Sequence, residues 1–134
     1  MEQGATNEKT ISSVNEISKR IVTVTTSEVE VIAMGTAIAA GTFIEGDVRY
    51  MRFTNLDDTN FIVLTFKNED NDEFAVKLEA GHSFIYPGDN SGGVVDTMDA
   101  IDGTGLSLSL GDLVNVTADA DTASCDMEIF IASV

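Results

Sequence analysis

The sequence predicts an all-β fold: an antiparallel two-sheet β-sandwich, jelly-roll-like, preceded by an N-terminal arm. Three observations lead there. Apolar residues recur with a period of two through most of the chain, short β-branched runs alternate with Gly, Asn and Asp turns, and no segment after residue 20 keeps a capped helical period. With 134 residues, one domain with a self-sufficient core is expected.

Residues 1–18 are polar and rich in Asn, Ser, Thr and Glu. Ile11, Val14 and Ile17 recur at spacings near three, which suits a turn or two of amphipathic helix. An arm over 1–18, ordered by neighbouring molecules, and a sandwich domain over 19–134 are the expected division. A frayed terminus without a role is the plainer alternative.

Strands follow in order. Arg20–Thr26 is almost wholly β-branched, and Glu28–Ile32 alternates charge with valine. Val48–Thr54 sets Met51 and Phe53 on one face and Tyr50 and Arg52 on the other. Phe61–Phe66 is apolar at nearly every position, so it reads as a central strand buried on both sides. Glu73–Leu78 turns Phe74, Val76 and Leu78 inward. His82–Tyr86 follows a Gly turn. Leu106, Leu108 and Leu110 alternate with serine, and Leu113–Thr117 and Met127–Ile131 come last. Nine or ten strands result. Asn55–Asn60 and Asn68–Asp72 read as hairpin-type turns. Residues 87–105 are the one long irregular stretch.

The Ala/Gly/Thr-rich stretch from Ala33 to Thr42 fills a core poorly but lets two backbones approach closely. An edge strand or subunit interface, or else a plain loop across one end of the sandwich, is expected there.

Composition narrows the function classes. The chain carries 7 Lys and Arg against 23 Asp and Glu, a net charge of -16, and has no Lys or Arg after Lys77. Residues 1–20 sum to zero, so the whole excess lies beyond them. Such a body repels nucleic acid and anionic membranes, which are gripped by clustered cations. A single cysteine, Cys125, excludes an intramolecular disulfide. The first residues lack the apolar core of a secretory signal, and no apolar run approaches the ~18 residues of a membrane helix.

Catalytic chemistry is sparse. His82 and Cys125 are the single members of their types and lie in unrelated segments, and no Gly-x-Ser-x-Gly elbow is present. Three or four zinc ligands are not on offer. Acidic loops such as Asp70–Asp72 and Asp119–Asp121 supply calcium-type oxygens without the EF-hand spacing, and Asx-turns explain them equally well. No enzyme activity and no cofactor are expected. Phe61 and Phe130 sit where alternation turns them outward, as a contact surface requires.

Two stretches carry a resemblance: Arg49–Leu64 continuing to Phe74–Phe84, and the terminal Met127–Ser133. Their order of strand, Asn-x-Asp turn, strand, strand, Leu-x-x-Gly turn and strand resembles the small β-sandwich virion proteins of tailed bacteriophages. The resemblance spans residues 45–134 and implies a virion structural role. A capsid decoration (cement) protein is expected, assembled in the host cytoplasm. It would bridge major capsid subunits on the outer shell as a homo-oligomer, with a trimer favoured. A neck or tail component, and a carbohydrate- or receptor-binding sandwich, are the alternatives. The expected interface residues are Ile11, Val14 and Ile17 of the arm, with Ala37, Ile38 and Phe43.

Overall fold

The computed structural model describes residues 10, 13–37, 41–87, 92–98 and 110–134. Among them lie nine strands: β1 (Glu16–Val24), β2 (Val29–Gly35), β3 (Thr42–Ile44), β4 (Val48–Asn55), β5 (Ile62–Asn68), β6 (Glu73–Leu78), β7 (Ser83–Pro87), β8 (Leu113–Ala120) and β9 (Cys125–Ser133). One sheet has the order β1-β9-β4-β7 and the other β3-β2-β8-β5-β6. With the short β3 set aside, the first strand lies beside the last and the second beside the penultimate, the strand order of a jelly roll. All pairs are antiparallel except β2 with β3, which run parallel over three residues.

The period of two builds the core. In β4, Met51 and Phe53 are fully buried, and in β9, Met127, Ile129 and Ile131 are. From the other sheet come Ile62, Leu64 and Phe66 of β5 and Val116 and Ala118 of β8. The reading of residues 61–66 as buried on both faces is corrected. Val63 and Thr65 lie on the half-exposed outer side of β5, because nothing described packs over that face.

Three further expectations shift. Residues 16–18, assigned to the arm, are the first rungs of β1, paired with Ser133, Ala132 and Ile131. The Ala/Gly/Thr stretch divides: β2 runs to Gly35 and β3 forms a sheet edge from Thr42. Leu106 and Leu108 lie outside the described residues, and Leu110 is exposed and in no strand.

The two long sides of the sandwich differ. Where β6 and β7 flank the opening, aromatic rings close it. Phe66 stacks on Phe74 at 4.8 Å and on Tyr86 at 5.0 Å, and meets Phe53 edge-on at 5.7 Å. Such pairs contribute roughly 0.5–1.5 kcal/mol each beyond burial. On the opposite side, between β1 and β3, no ring stack is formed among the described residues.

Each end is fastened by a buried asparagine. Asn55 Nδ2 donates to the carbonyls of Asn60 (2.8 Å) and Leu78 (3.1 Å), while its Oδ1 accepts from Asp57 N–H (3.0 Å). Asn68 repeats the pattern. Its Nδ2 donates to Met98 C=O (3.1 Å), and its Oδ1 accepts from the N–H groups of Asp70 (3.0 Å) and Asp72 (2.8 Å). Both side chains are fully buried, so these bonds act without competition from water.

Asn55→Ala and Asn68→Ala are each expected to lower the unfolding free energy by roughly 1–3 kcal/mol, since buried backbone groups lose their partners. Asp70→Ala, on the exposed loop, should stay within about 0.5 kcal/mol of wild type. Urea denaturation measures all three, and equal effects at the three positions would refute the fastening role.

Candidate interaction face

Alternation along the strands decides what the outer face of the β1-β9-β4-β7 sheet presents. Inward residues of β4 and β9 are taken by the core, so Tyr50, Arg52, Glu128 and Phe130 must turn out. The register aligns these with the edge strands. One row runs Lys19, Phe130, Arg52, Ile85, and the rows beside it start with Ile17 and Ile21.

Three of the large apolar side chains exposed among the described residues lie on this face: Ile17 and Ile21 at 62% and Ile85 at 49%. At the centre, Arg52 lies over the Phe130 ring at 5.1 Å and Tyr50 meets that ring edge-on at 6.0 Å. Glu128 sits between two cations, 3.8 Å from Lys19 and 3.5 Å from Arg52. These exposed pairs add little stability. Their effect is to balance charge beside the aromatic pair.

That balance is local. Among the described residues, Lys19, Arg20, Arg49 and Arg52 belong to β1 and β4, and only Lys67 and Lys77 lie elsewhere. The loops at both ends are acidic: Asp57, Asp58 and Asp121 at one, Glu69, Asp70 and Asp112 at the other. Of the four cations on β1 and β4, Lys19 and Arg52 point out on the face, while Arg20 lines the neighbouring groove and Arg49 donates to the carbonyl of Gly46, so the face joins two cations to its apolar area.

Around the β1 edge the face gives way to a groove of about 420 Å³ between the two sheets, lined by Glu16, Ser18 and Arg20 of β1 and by Thr42, Phe43 and Ile44 of β3. The Arg20 guanidinium spans its mouth to the carbonyl of Val31. Mixed polar walls and an open shape suit a peptide chain better than a small apolar ligand.

The expected interface residues scatter. Ile17 lies on the outer face. Val14 is half-buried just before β1, and Ala37 is exposed in the bend after β2. Phe43 packs against the core and lines the groove. Ile11 and Ile38 fall outside the described residues. Ile21, Tyr50, Arg52 and Ile85 were missed as contact residues, although the same alternation that marked Phe130 extends to them.

The titratable groups with shifted pKa values lie away from this face. His82 is exposed in the β6–β7 turn, where its carbonyl accepts from Asn55 N–H at 3.0 Å. The Cys125 thiol is buried and directed at the carbonyls of Ala123 (3.5 Å) and Asn60 (3.8 Å). Burial pushes its pKa up, and Asp57, Asp121 and Asp126 add to the effect, so the nucleophilic thiolate is disfavoured. Asp57 accepts from the N–H groups of Asn60 (2.6 Å) and Thr59 (3.0 Å), which hold its carboxyl low. Among the described residues no group of three or more His, Cys, Asp or Glu is placed to hold a metal ion.

Glu45 is the exception to the solvated acids. It is buried where the turn before β4 meets the segment 92–98. Val94 N–H donates to its carbonyl at 2.9 Å. Burial raises its carboxyl pKa, and Asp112 raises it further by charge and by a carboxyl–carboxyl hydrogen bond, with Glu69 contributing at longer range.

No family model and no curated protein matches this chain. Among solved structures it is similar to a chain of the Bacillus endospore appendages that form a novel family of disulfide-linked pili. The two share 10% identity over 98% of each chain, with a TM-score of 0.44.

A raised carboxyl pKa stabilises the fold in acid, and that contribution is lost as pH rises through the elevated value. Glu45→Gln should therefore be more stable than wild type at neutral pH and lose less stability between about pH 4 and about pH 8. Thermal unfolding across that range checks this, and parallel curves for the two proteins would contradict it.

Proposed function

We propose that this chain is a structural assembly subunit, without catalytic activity, that docks through the outer face of the β1-β9-β4-β7 sheet onto a repeating protein surface. The observation that carries the reading is the coincidence on one face of Ile17, Ile21 and Ile85 with the Arg52–Phe130–Tyr50 row. Exposed aliphatics around an aromatic and arginine centre are the composition of protein interfaces. The acidic remainder of the surface repels other anionic bodies and so confines close approach to this face.

In its finer form the proposal is a decoration protein on the outer shell of a tailed-phage capsid. It would cover joints between major capsid subunits and resist internal pressure through added buried area. The resemblance of residues 45–134 to small virion sandwiches supports this form, and an anionic exterior suits a protein kept apart from packaged nucleic acid. A stable contact buries on the order of 1,600 Å² summed over both partners, and oligomerisation would bring several faces together.

Quantitative mass spectrometry of purified particles tests the finer form: hundreds of copies per particle support shell decoration, and a dozen or fewer would assign the chain to a connector or tip. The face itself is tested by Ile21→Asp. Losing one buried isoleucine, roughly 1.5–3 kcal/mol, should weaken binding to particles roughly ten- to a hundredfold. Unfolding should barely change, because the residue is exposed. Unaltered binding by Ile17→Asp, Ile21→Asp and Phe130→Ala alike would rule the face out.

A further inference from the structure

We infer that the free edge of β1 pairs with β1 of a second copy, antiparallel about a twofold axis at Ser18, joining two four-stranded sheets into one of eight. The inference rests on the assembly reading and names one partner within it.

β1 is the longest edge strand of the sandwich, with nine residues. The other described edges are blunted in the ways that discourage strand addition. β3 has three residues, β7 ends in Pro87, and β6 is short and carries Glu73, Lys77 and the inward ring stack. β1 is paired to β9 along its whole length. Every second residue therefore turns its N–H and C=O away from the sheet, and among the described residues no strand meets them.

Register decides whether a second β1 fits. Antiparallel partners must share a face, so only twofold axes that pass through a residue position are allowed. An axis at Lys19 sets lysine against lysine, and one at Arg20 sets arginine against arginine. An axis at Ser18 sets Ser18 against Ser18, Ile17 against Lys19, and Glu16 against Arg20 twice over. It also sets Val14 against Val22, both half-buried in the single chain. Glu16 and Arg20 are exposed and line the groove side of the edge, so both opposite-charge pairs form on one face of the joined sheet, Glu16 meeting the Arg20 guanidinium whose Nη2 donates to Val31 C=O. Charge complementarity thus favours this register; Ile17 faces Lys19 and Ile21 faces Asn15 within it. The outer faces of the two copies then adjoin, and Ile17 and Ile21 of both contribute to one doubled surface. A dimer is the unit this edge builds, in place of the trimer expected from the sequence.

Within one strand Glu16 and Arg20 are about 13 Å apart, four residues of extended chain, too far to pair with each other. Charge reversal therefore reports on the contact between copies. Analytical ultracentrifugation of the full chain should show a monomer–dimer equilibrium. Glu16→Arg and Arg20→Glu should each raise the dissociation constant roughly tenfold, and the double reversal should restore it. Ser18→Cys should give a covalent dimer on mild oxidation, because residues opposed across a twofold have Cα atoms within disulfide reach. Thr23→Cys should not. A chain that stays monomeric at every concentration, or a dimer indifferent to both single reversals and uncrosslinked by Ser18→Cys, overturns the pairing. Particle binding that persists in such a monomer, and is still lost in Ile21→Asp, would leave the assembly reading intact. Loss of particle binding with the dimer retained would do the reverse.

Discussion

Six of the eight chain connections pass from one sheet to the other, and the fold depends on how those crossings satisfy their backbone groups. A strand that leaves one sheet for its opposite carries polar atoms past the edge of a dry core, where an unpaired group costs as much as a lost hydrogen bond. Asn55 answers that cost in the crossing from β4 to β5, and Asn68, in the β5–β6 turn within one sheet, answers it by donating to Met98 of the crossing into β8; each also offers an acceptor to its own turn. The crossing into β8 adds backbone bonds to the side-chain bond that Asn68 makes with Met98. Gly93 adopts φ +75°, and a Cβ there would stand 2.6 Å from the carbonyl oxygens of Glu45 and Gly46. Only glycine allows Val94 to reach Glu45 and then receive Leu113 N–H at 3.1 Å.

The unequal long sides follow from where the aromatic residues fall. Phe66, Phe74 and Tyr86 stack across the opening beside β6 and β7. Beside β1 and β3 the space is lined by one ring among the described residues, Phe43, together with short, charged and aliphatic side chains, and a groove remains. One side is thus sealed by rings, and the other keeps a long strand edge with its hydrogen-bonding groups turned outward. The apolar outer face adjoins this second side, so the features suited to contact are grouped together.

Much of the fold was legible because burial imposes a strict period of two. β4, β6, β8 and β9 fall close to where alternation put them, and β6 agrees at both bounds. Both turns were legible as turns from residue type, but only Asn68–Asp72 joins a hairpin; Asn55–Asn60 crosses from one sheet to the other, and the depth at which their first asparagines lie was not legible. An Asx-turn on the surface and one sealed beneath a crossing share the same local sequence. The extent of β1 was misjudged because its first residues, Glu16, Ile17 and Ser18, bury little and face either solvent or a groove. Their strand character comes from pairing with β9, more than a hundred residues away. For the same reason the contact face was seen only in part. Each of its residues is an ordinary outward position on its own strand, and the row Lys19, Phe130, Arg52, Ile85 exists only once four distant segments are in register.

The last two strands occupy interior places, β9 between β1 and β4 and β8 between β2 and β5. During synthesis, residues 16–87 therefore emerge with a gap in the middle of each prospective sheet, and β1 has no partner strand until residues 125–133 leave the ribosome. The nascent chain passes through a long interval in which Met51, Phe53, Leu64 and Phe66 lack the neighbouring strands β8 and β9. Closure of both sheets then comes in a single late step, with the low speed that non-local pairing brings. The aromatic seal between β5, β6 and β7 draws on strands already made. With the β4–β7 pair, it can gather early and shield part of that surface from aggregation until β8 and β9 arrive.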